Sequence, residues 1–348
     1  MKRAQKFLGK SALKFGNEFI LPGERRRIQI EVASLFDYTK LNIPVEVIRG
    51  KEPGPILFIS AAIHGDEING VEIIKRLLQR PQLNRIKGTL IVIPIVNVFG
   101  FNSKSRYLPD RRDLNRCFPG SSRGSLGARL ADIFMKEIVT KCTHGIDLHT
   151  GSIHRSNLPH IRACLDDPET FRLAEGFGVP VMIHSQLRDG SLREAARKRN
   201  VITLLFEGGE ALRFEEDIVK AGLKGCVSVM RNIGMLPKLV AHHAASHKKM
   251  AFTANESYWV RANHSGSFRL HKKLGDHVAD GEVLATISDP FGDAPYDVKA
   301  KGSGIIIGLS TIPLVNNGDA IIHIATFKNS KKVRKAIEQI DESNLKPY

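Results

Sequence analysis

Four short apolar segments, at residues 56–62, 89–96, 145–149 and 201–206, alternate with stretches whose apolar residues recur at helical spacing. A run of that length bounded by turn residues reads as a strand buried on both faces. Between the runs, Val71, Ile73, Ile74, Leu77 and Leu78 outline one face of a helix, and residues 125–142, 172–177, 192–199 and 215–232 carry further helical patterns. Strands alternating with helices dictate an α/β fold: a mixed, mostly parallel sheet with helices on both faces. Upstream, residues 27–32 and 41–47 alternate in polarity as strands do, and the turn cluster Gly50-Lys51-Glu52-Pro53-Gly54-Pro55 separates them from the first buried run.

Beyond about Lys248 the texture changes. Long helical patterns give way to short β-like pieces between glycines, at 258–261, 266–270, 283–287, 296–300, 304–309 and 320–325. These predict a small all-β unit. Lys331-Lys332-Val333-Arg334-Lys335-Ala336 then begins a basic tail with a helical pattern. The expected division is an N-terminal extension at 1–25, an α/β unit at 26–247, a β unit at 248–328 and the tail at 329–348. A length of 348 residues is enough for that arrangement.

The formal charge of +16 invites a nucleic-acid reading, but the basic residues are spread along the chain. Local clusters are confined to Arg25-Arg26-Arg27, Arg111-Arg112 and Lys331-Lys332, and there is no RNA-binding motif. Aromatic residues, 7% of the chain, supply few stacking platforms. The charge is therefore read as a basic surface suited to a small anionic substrate, with no nucleic-acid partner. No apolar run approaches the roughly 20 residues of a membrane span, so no membrane partner is expected. The N-terminus lacks the apolar core of a secretion signal. Cys117, Cys142, Cys164 and Cys226 stand far apart without Cys-x-x-Cys, which predicts reduced thiols in a cytoplasmic protein. The oligomeric state stays open, a homo-oligomer included.

In open α/β sheets, function collects at the carboxyl ends of the strands. His64, Glu67, Asp147, His149 and Glu207 all stand there. His64-x-x-Glu67 follows a buried run and opens a helical pattern, offering an imidazole nitrogen and a carboxylate oxygen to one locus. His149 is the candidate third ligand, and three ligands of this kind suit a zinc ion with a fourth position open. Asp147 lies two residues away, on the same side of a strand, where a carboxylate can fix a histidine tautomer. Glu207, between an apolar strand and Gly208-Gly209, is expected to be partly buried with a raised pKa, as a general base requires. Glu210 is its competitor. Asn115-Arg116 offers an amide and a guanidinium that can clamp a carboxylate. Arg106, Arg111 and Arg112 can stabilise an oxyanion. His243 and His247, four apart in an Ala-rich join, read as exposed linker.

Together His64-Gly65-Asp66-Glu67, Asp113-Leu114-Asn115-Arg116, Asp147-Leu148-His149 and Phe206-Glu207-Gly208-Gly209 resemble the succinylglutamate desuccinylase/aspartoacylase family, a branch of the zinc carboxypeptidase-like hydrolases. The resemblance covers roughly residues 20–330. It implies one zinc ion per chain on His64, Glu67 and His149, with Glu207 as general base. It implies Asn115 and Arg116 as holders of a substrate carboxylate and Arg106 as the carbonyl-polarising arginine, with Arg111 as the alternative. The implied activity is hydrolysis of an amide in a small N-acyl amino acid or related carboxylate-bearing amide by metal-activated water. A carboxypeptidase-like enzyme on short peptides, or a non-catalytic binding protein on a hydrolase fold, are the alternatives. Residues from about 255 to 328 resemble the lipoyl/biotinyl barrel-sandwich fold. The matching hairpin tip, Ser288-Asp289-Pro290-Phe291-Gly292-Asp293, lacks the carrier lysine, which implies a cap on the active-site mouth. Tyr258, Trp259 and Tyr296 are candidates to reach that mouth.

Overall fold

The structure is a computed structural model that describes residues 12–186, 188–238, 251–293 and 295–344. The histidines at 242–247 lie outside the described residues, as does the chain start at 1–11. A small hairpin, β1 (Leu13–Phe15) and β2 (Glu18–Ile20), precedes two long antiparallel strands, β3 (Arg25–Ser34) and β4 (Lys40–Arg49). The four apolar runs become β5 (Ile56–Ala61), β6 (Thr89–Ile93), β7 (His144–Gly151) and β10 (Ile202–Glu210). These four form the parallel centre of the sheet, in the order β6-β5-β7-β10. Two strands without a clear sequence signal follow β7: β8 (Arg155–Ala163), antiparallel to β10, and β9 (Val181–His184), parallel to β8.

Helices cover both faces. One face of β5, β7 and β10 packs Ile59, Ile146, Leu148 and Phe206 against α1 (Asn69–Leu78), α4 (Pro168–Phe177) and α6 (Glu216–Asn232). The other face packs Phe58, Ile91 and Ile93 against α3 (Leu126–Glu137) and α5 (Leu192–Arg197). A single turn, α2 (Val98–Asn102), lies between β6 and α3, with the Asn97 side chain accepting the Gly100 N–H at 2.8 Å as its cap. Each apolar face is removed from water only because the sheet is sandwiched, which is the main stabilising term.

The C-terminal residues supply β11 (Phe252–Ala254) through β19 (Ala320–Thr326). Four of these, β13 (Gly266–Leu270), β15 (Val283–Ser288), β16 (Tyr296–Lys299) and β18 (Leu314–Val315), form their own sheet. The others, β12 (Glu256–Arg261), β14 (His277–Val278), β17 (Gly304–Ser310) and β19, are continuous with the large sheet, because β17 pairs with β8. β11 joins it through β9. The basic tail is helical, as α7 (Ser330–Asn344), and Val333 and Ile337 bury against Ile305 and Ile307. Among the described residues no helix is long and apolar enough to cross a membrane, and the four cysteines are free thiols.

The sequence places His64-x-x-Glu67 at the opening of a helix. In the structure it lies in the turn between β5 and α1, closed by the Glu67 N–H donating to His64 O at 3.1 Å. That turn leads directly into α1, whose N-cap is Ile68, and it is tightly confined. Gly65 passes so close to the Gly100–Phe101 peptide that an added Cβ would lie 1.9 Å from Gly100 C. This room comes from backbone, which cannot swing away as a flexible side chain would. Gly65→Ala is therefore expected to cost more than the roughly 1–3 kcal/mol of ordinary overpacking. Urea denaturation of the variant checks this, and a midpoint equal to wild type would show that the turn has room to spare.

Candidate active site

Glu67 is the hub. It is buried, and its two carboxylate oxygens each meet an imidazole: Oε1 lies 2.7 Å from His64 Nδ1 and Oε2 lies 2.7 Å from His149 Nδ1. Its remaining capacity takes the Thr150 N–H at 3.1 Å and an Arg106 Nη1 donor at 3.0 Å. Both histidines are oriented from behind by a second carboxylate. His64 Nε2 faces Asp113 Oδ1 at 3.0 Å, and His149 Nε2 faces Asp147 Oδ2 at 2.7 Å. Asp147 is itself held by the Ser60 hydroxyl at 2.8 Å. With Nε2–H committed to a carboxylate, each ring turns its Nδ1 to the common centre.

The electrostatics follow from this packing. Burial works against the Glu67 charge, but the two imidazoles hold the carboxyl well below its usual range. Burial also opposes the Asp113 charge, and His64 and Arg106 outweigh it, so that carboxyl too stays ionised to low pH. His149 shows the converse: burial disfavours its charged form, yet Asp147 and Glu67 raise its pKa well above the ordinary value. Three acidic side chains thus draw positive charge into a dry pocket.

His64, Glu67 and His149 present one ligand atom each within 4.8 Å of one another. Two imidazole nitrogens and a carboxylate oxygen, each ring braced by an outer carboxylate, are a donor set that fits a divalent metal ion. Such an ion would supply the positive charge that protons otherwise bring to this centre.

Glu207 stands beside this cluster, since it pairs with His149 across β10 and β7. Burial raises its carboxyl pKa against the pull of His149 and Arg162. Its Oε2 accepts the Asn157 amide at 3.1 Å. Glu210 is engaged elsewhere, accepting from His154 N and Thr311 Oγ1, both at 3.1 Å. Of the candidate arginines, Arg106 reaches the cluster, spanning Glu67 and Asp113, whose Oδ2 takes its Nη2 at 2.9 Å. Arg111 is exposed and makes no hydrogen bond from its guanidinium among the described residues. Asn115 is buried, its Oδ1 accepts the Leu192 N–H at 2.9 Å, and its amide N–H groups can donate to a ligand. Arg116 is exposed, with Nη1 on Asn115 O.

Three supporting residues had no assigned role in the sequence. Asp113 opens the Asp-Leu-Asn-Arg motif, and its place before a short 3-10 turn (Leu114–Arg116) was the available signal. Ser60 and Asn157 carried none. Tyr258 donates to Gly302 O at 2.8 Å and Tyr296 stacks on His264, so both are held within the C-terminal β region. Trp259 stacks on His323 at 4.5 Å.

The sequence profile of the succinylglutamate desuccinylase/aspartoacylase catalytic domain matches residues 53–233. The chain is 29% identical over 307 residues to an N-alpha-acetyl-L-2,4-diaminobutyric acid deacetylase of Halomonas elongata, covering 83% of this chain and 86% of that protein. Among solved structures, its fold is similar to a succinylglutamate desuccinylase of Silicibacter sp., with a TM-score of 0.77 and 23% identity over 88% of this chain and 95% of that one. It is similar also to the ectoine utilization protein EutE (DoeB) of Ruegeria pomeroyi in a product-bound structure, with a TM-score of 0.77 and 24% identity over 87% and 95%.

The bracing of His64 by Asp113 yields a measurable expectation. Asp113→Asn keeps the shape but loses the charge behind the ring, and divalent-ion affinity is expected to fall by about 10–100-fold. Competition with a chromogenic chelator reads this directly, and an unchanged affinity would remove Asp113 from the role.

Proposed function

The chain belongs to the succinylglutamate desuccinylase/aspartoacylase family, and from that premise we propose that it is a zinc-dependent hydrolase that cleaves the amide bond of a small N-acyl amino acid. The observation that carries the reading is Glu67 set between two Nδ1 atoms whose rings are each braced by a further carboxylate. Zinc on His64, Glu67 and His149 would supply a Lewis acid and lower the pKa of water from about 15.7 to about 7.

The chain's own residues do the rest. Glu207 takes the proton from the attacking water and later returns it to the leaving nitrogen. Its raised pKa suits a group that must both accept and release a proton near neutral pH. Asn157 keeps its carboxylate turned to one side. Arg106, already beside Glu67, offers its guanidinium to the developing oxyanion. Arg116, exposed beside the Asn115 amide, is assigned a substrate carboxylate. Catalysis is assigned to residues 26–247, and residues 248–328 back Asn157 and close that side of the site. Free cysteines suit a reducing compartment, and we place the protein in the cytoplasm.

A hydrolysis screen tests the reading. Zinc-loaded protein is offered N-acyl amino acids, including N-alpha-acetyl-L-2,4-diaminobutyrate, and short peptides, with release of free amine as the readout. Glu207→Gln is expected to keep its metal by elemental analysis and to lose about 10²–10⁴-fold in kcat. Full activity in that variant would exclude Glu207 as the base, and a wild type inert toward every acylated amino acid would overturn the assignment.

A further inference from the structure

A cavity of about 320 Å³ opens at the far end of β10 from Glu207. Its walls are Cys164 after β8, Asp167 and Thr170 at the start of α4, Arg193 and Arg197 of α5, and residues 200–203, which lead into β10. Thr203 and Glu207 are four residues apart on one strand, so about 13 Å of sheet separates the cavity from Glu207. The volume lies at the lower end of the range of small-molecule sites.

The cavity carries charges of both signs that are not spent on each other. Arg193 is buried, at 8% exposure, and its guanidinium bonds only the neutral Ser185, at 3.5 Å to O and 3.1 Å to Oγ. Burial and then the Arg162 charge push its pKa down to about 10 against the pull of Glu207 and Asp147, and neither carboxylate pairs with it. Arg197, one turn further along α5, is exposed and makes no side-chain hydrogen bond or ion pair among the described residues. Asp167 caps α4: its Oδ2 accepts the Thr170 N–H at 2.9 Å and the Thr170 hydroxyl. Those two bonds hold its carboxyl below the ordinary range, and it feels the Arg197 charge without pairing with it. Its Oδ1 has no partner among the described residues. Val201 and Ile202 add an apolar patch to the same walls.

A cavity that holds an unpaired cation and an unpaired anion suits a ligand that carries both charges, since a guanidinium takes a carboxylate and a carboxylate takes an ammonium. We propose that this cavity is a second binding site, for a free α-amino acid, with the carboxylate on Arg193 and Arg197 and the ammonium on Asp167. An N-acylated amino acid keeps the carboxylate but has a neutral amide nitrogen where the ammonium was, so it leaves Asp167 unanswered. Hydrolysis of the kind proposed above turns the second class of compound into the first, and the cavity thereby distinguishes product from substrate. The site does not depend on that reading, because its occupancy is read at Cys164 and not from turnover.

The test follows alkylation of Cys164 by iodoacetamide in the full-length protein, mapped by peptide mass spectrometry. Cys117, half-buried beside the Asp113–Arg116 turn, is the internal control. L-Alanine, L-leucine and L-2,4-diaminobutyrate are each compared with their α-N-acetyl forms. At least one free amino acid is expected to slow Cys164 alkylation by about tenfold at ten times its Kd, by mass action. Cys117 is expected to react as before at the same concentrations, and the acetylated partner to bind about tenfold more weakly or worse. Asp167→Asn keeps a good helix cap and is expected to lose the preference for the free amino acid. Arg197→Gln is expected to weaken both forms, and thermal melting checks that both variants fold. Protection by none of the three amino acids overturns the proposal, as does equal protection by the acetylated forms or parallel protection of Cys117. An unchanged preference in Asp167→Asn, or unchanged binding in Arg197→Gln, overturns it too. Should Cys164 not react, calorimetric titration of the same ligands decides: heat in wild type that is lost in Asp167→Asn supports the site, and equal heat or none overturns it.

Discussion

A carboxylate at the bottom of a protein is tolerable only when its charge is answered, and Glu67 is answered from four directions. Two imidazoles, one backbone N–H and one guanidinium converge on two oxygens. Those donors come from the β5–α1 turn, the loop after α2 and the end of β7, so one ionised group ties three connections together. With four partners the charge is shared, so the loss of any one of them is partly covered by the other three. The same arrangement explains why the turn is so tightly specified. Gly65 lies against backbone and Gly70 against the Cβ atoms of Ala61 and Leu148, at 2.7 and 2.8 Å from where its own would be. Space is surrendered in both places to bring Glu67 between the rings.

The C-terminal β region belongs to this logic rather than hanging from it. β17 pairs with β8 so that Gly308 lies opposite Asn157. A Cβ at Gly308 would come within 3.0 Å of Asn157 Oδ1 and 3.1 Å of His323 Cβ. The missing side chain lets Asn157 keep the position from which it bonds Glu207. A strand from the last third of the chain thereby stands next to the residue that bonds Glu207.

Much of this could be read from the sequence, for identifiable reasons. The central strands β5, β6, β7 and β10 are buried on both faces, so their signal is an uninterrupted apolar run. His64, Glu67, His149 and Glu207 fall where those runs end, and strand ends are where such sheets expose polar groups. What escaped is β8, Arg-Ser-Asn-Leu-Pro-His-Ile-Arg-Ala. Its pairing with β10 shifts register between Glu207 and Gly209, and Pro159 interrupts it, so neither alternation nor an apolar run survives. The same strand brings Asn157 and His160 alongside the Glu207–Gly209 end of β10. Asp113 was hidden differently: its partner His64 is 49 residues away, a distance no local pattern spans.

Charge shows the same contrast between what composition reports and what the site uses. A formal +16 suggests anion attraction by the whole surface. Yet many of these cations are spent on local pairs, as Arg25 and Arg27 are on Glu46 and Arg76 is on Glu72 and Glu216. Exposed charges further than about 8 Å from a ligand are screened at physiological salt. Arg106, Arg162 and Arg193 escape that screening because they are partly or wholly withdrawn from water. Arg106 is spent on Glu67 and Asp113 by direct contact, whereas Arg162 and Arg193 make no ion pair and lie in the field of Glu207. The charge that the site feels therefore depends on which guanidinium groups stand beside its carboxylates, a property of placement that a net charge cannot express.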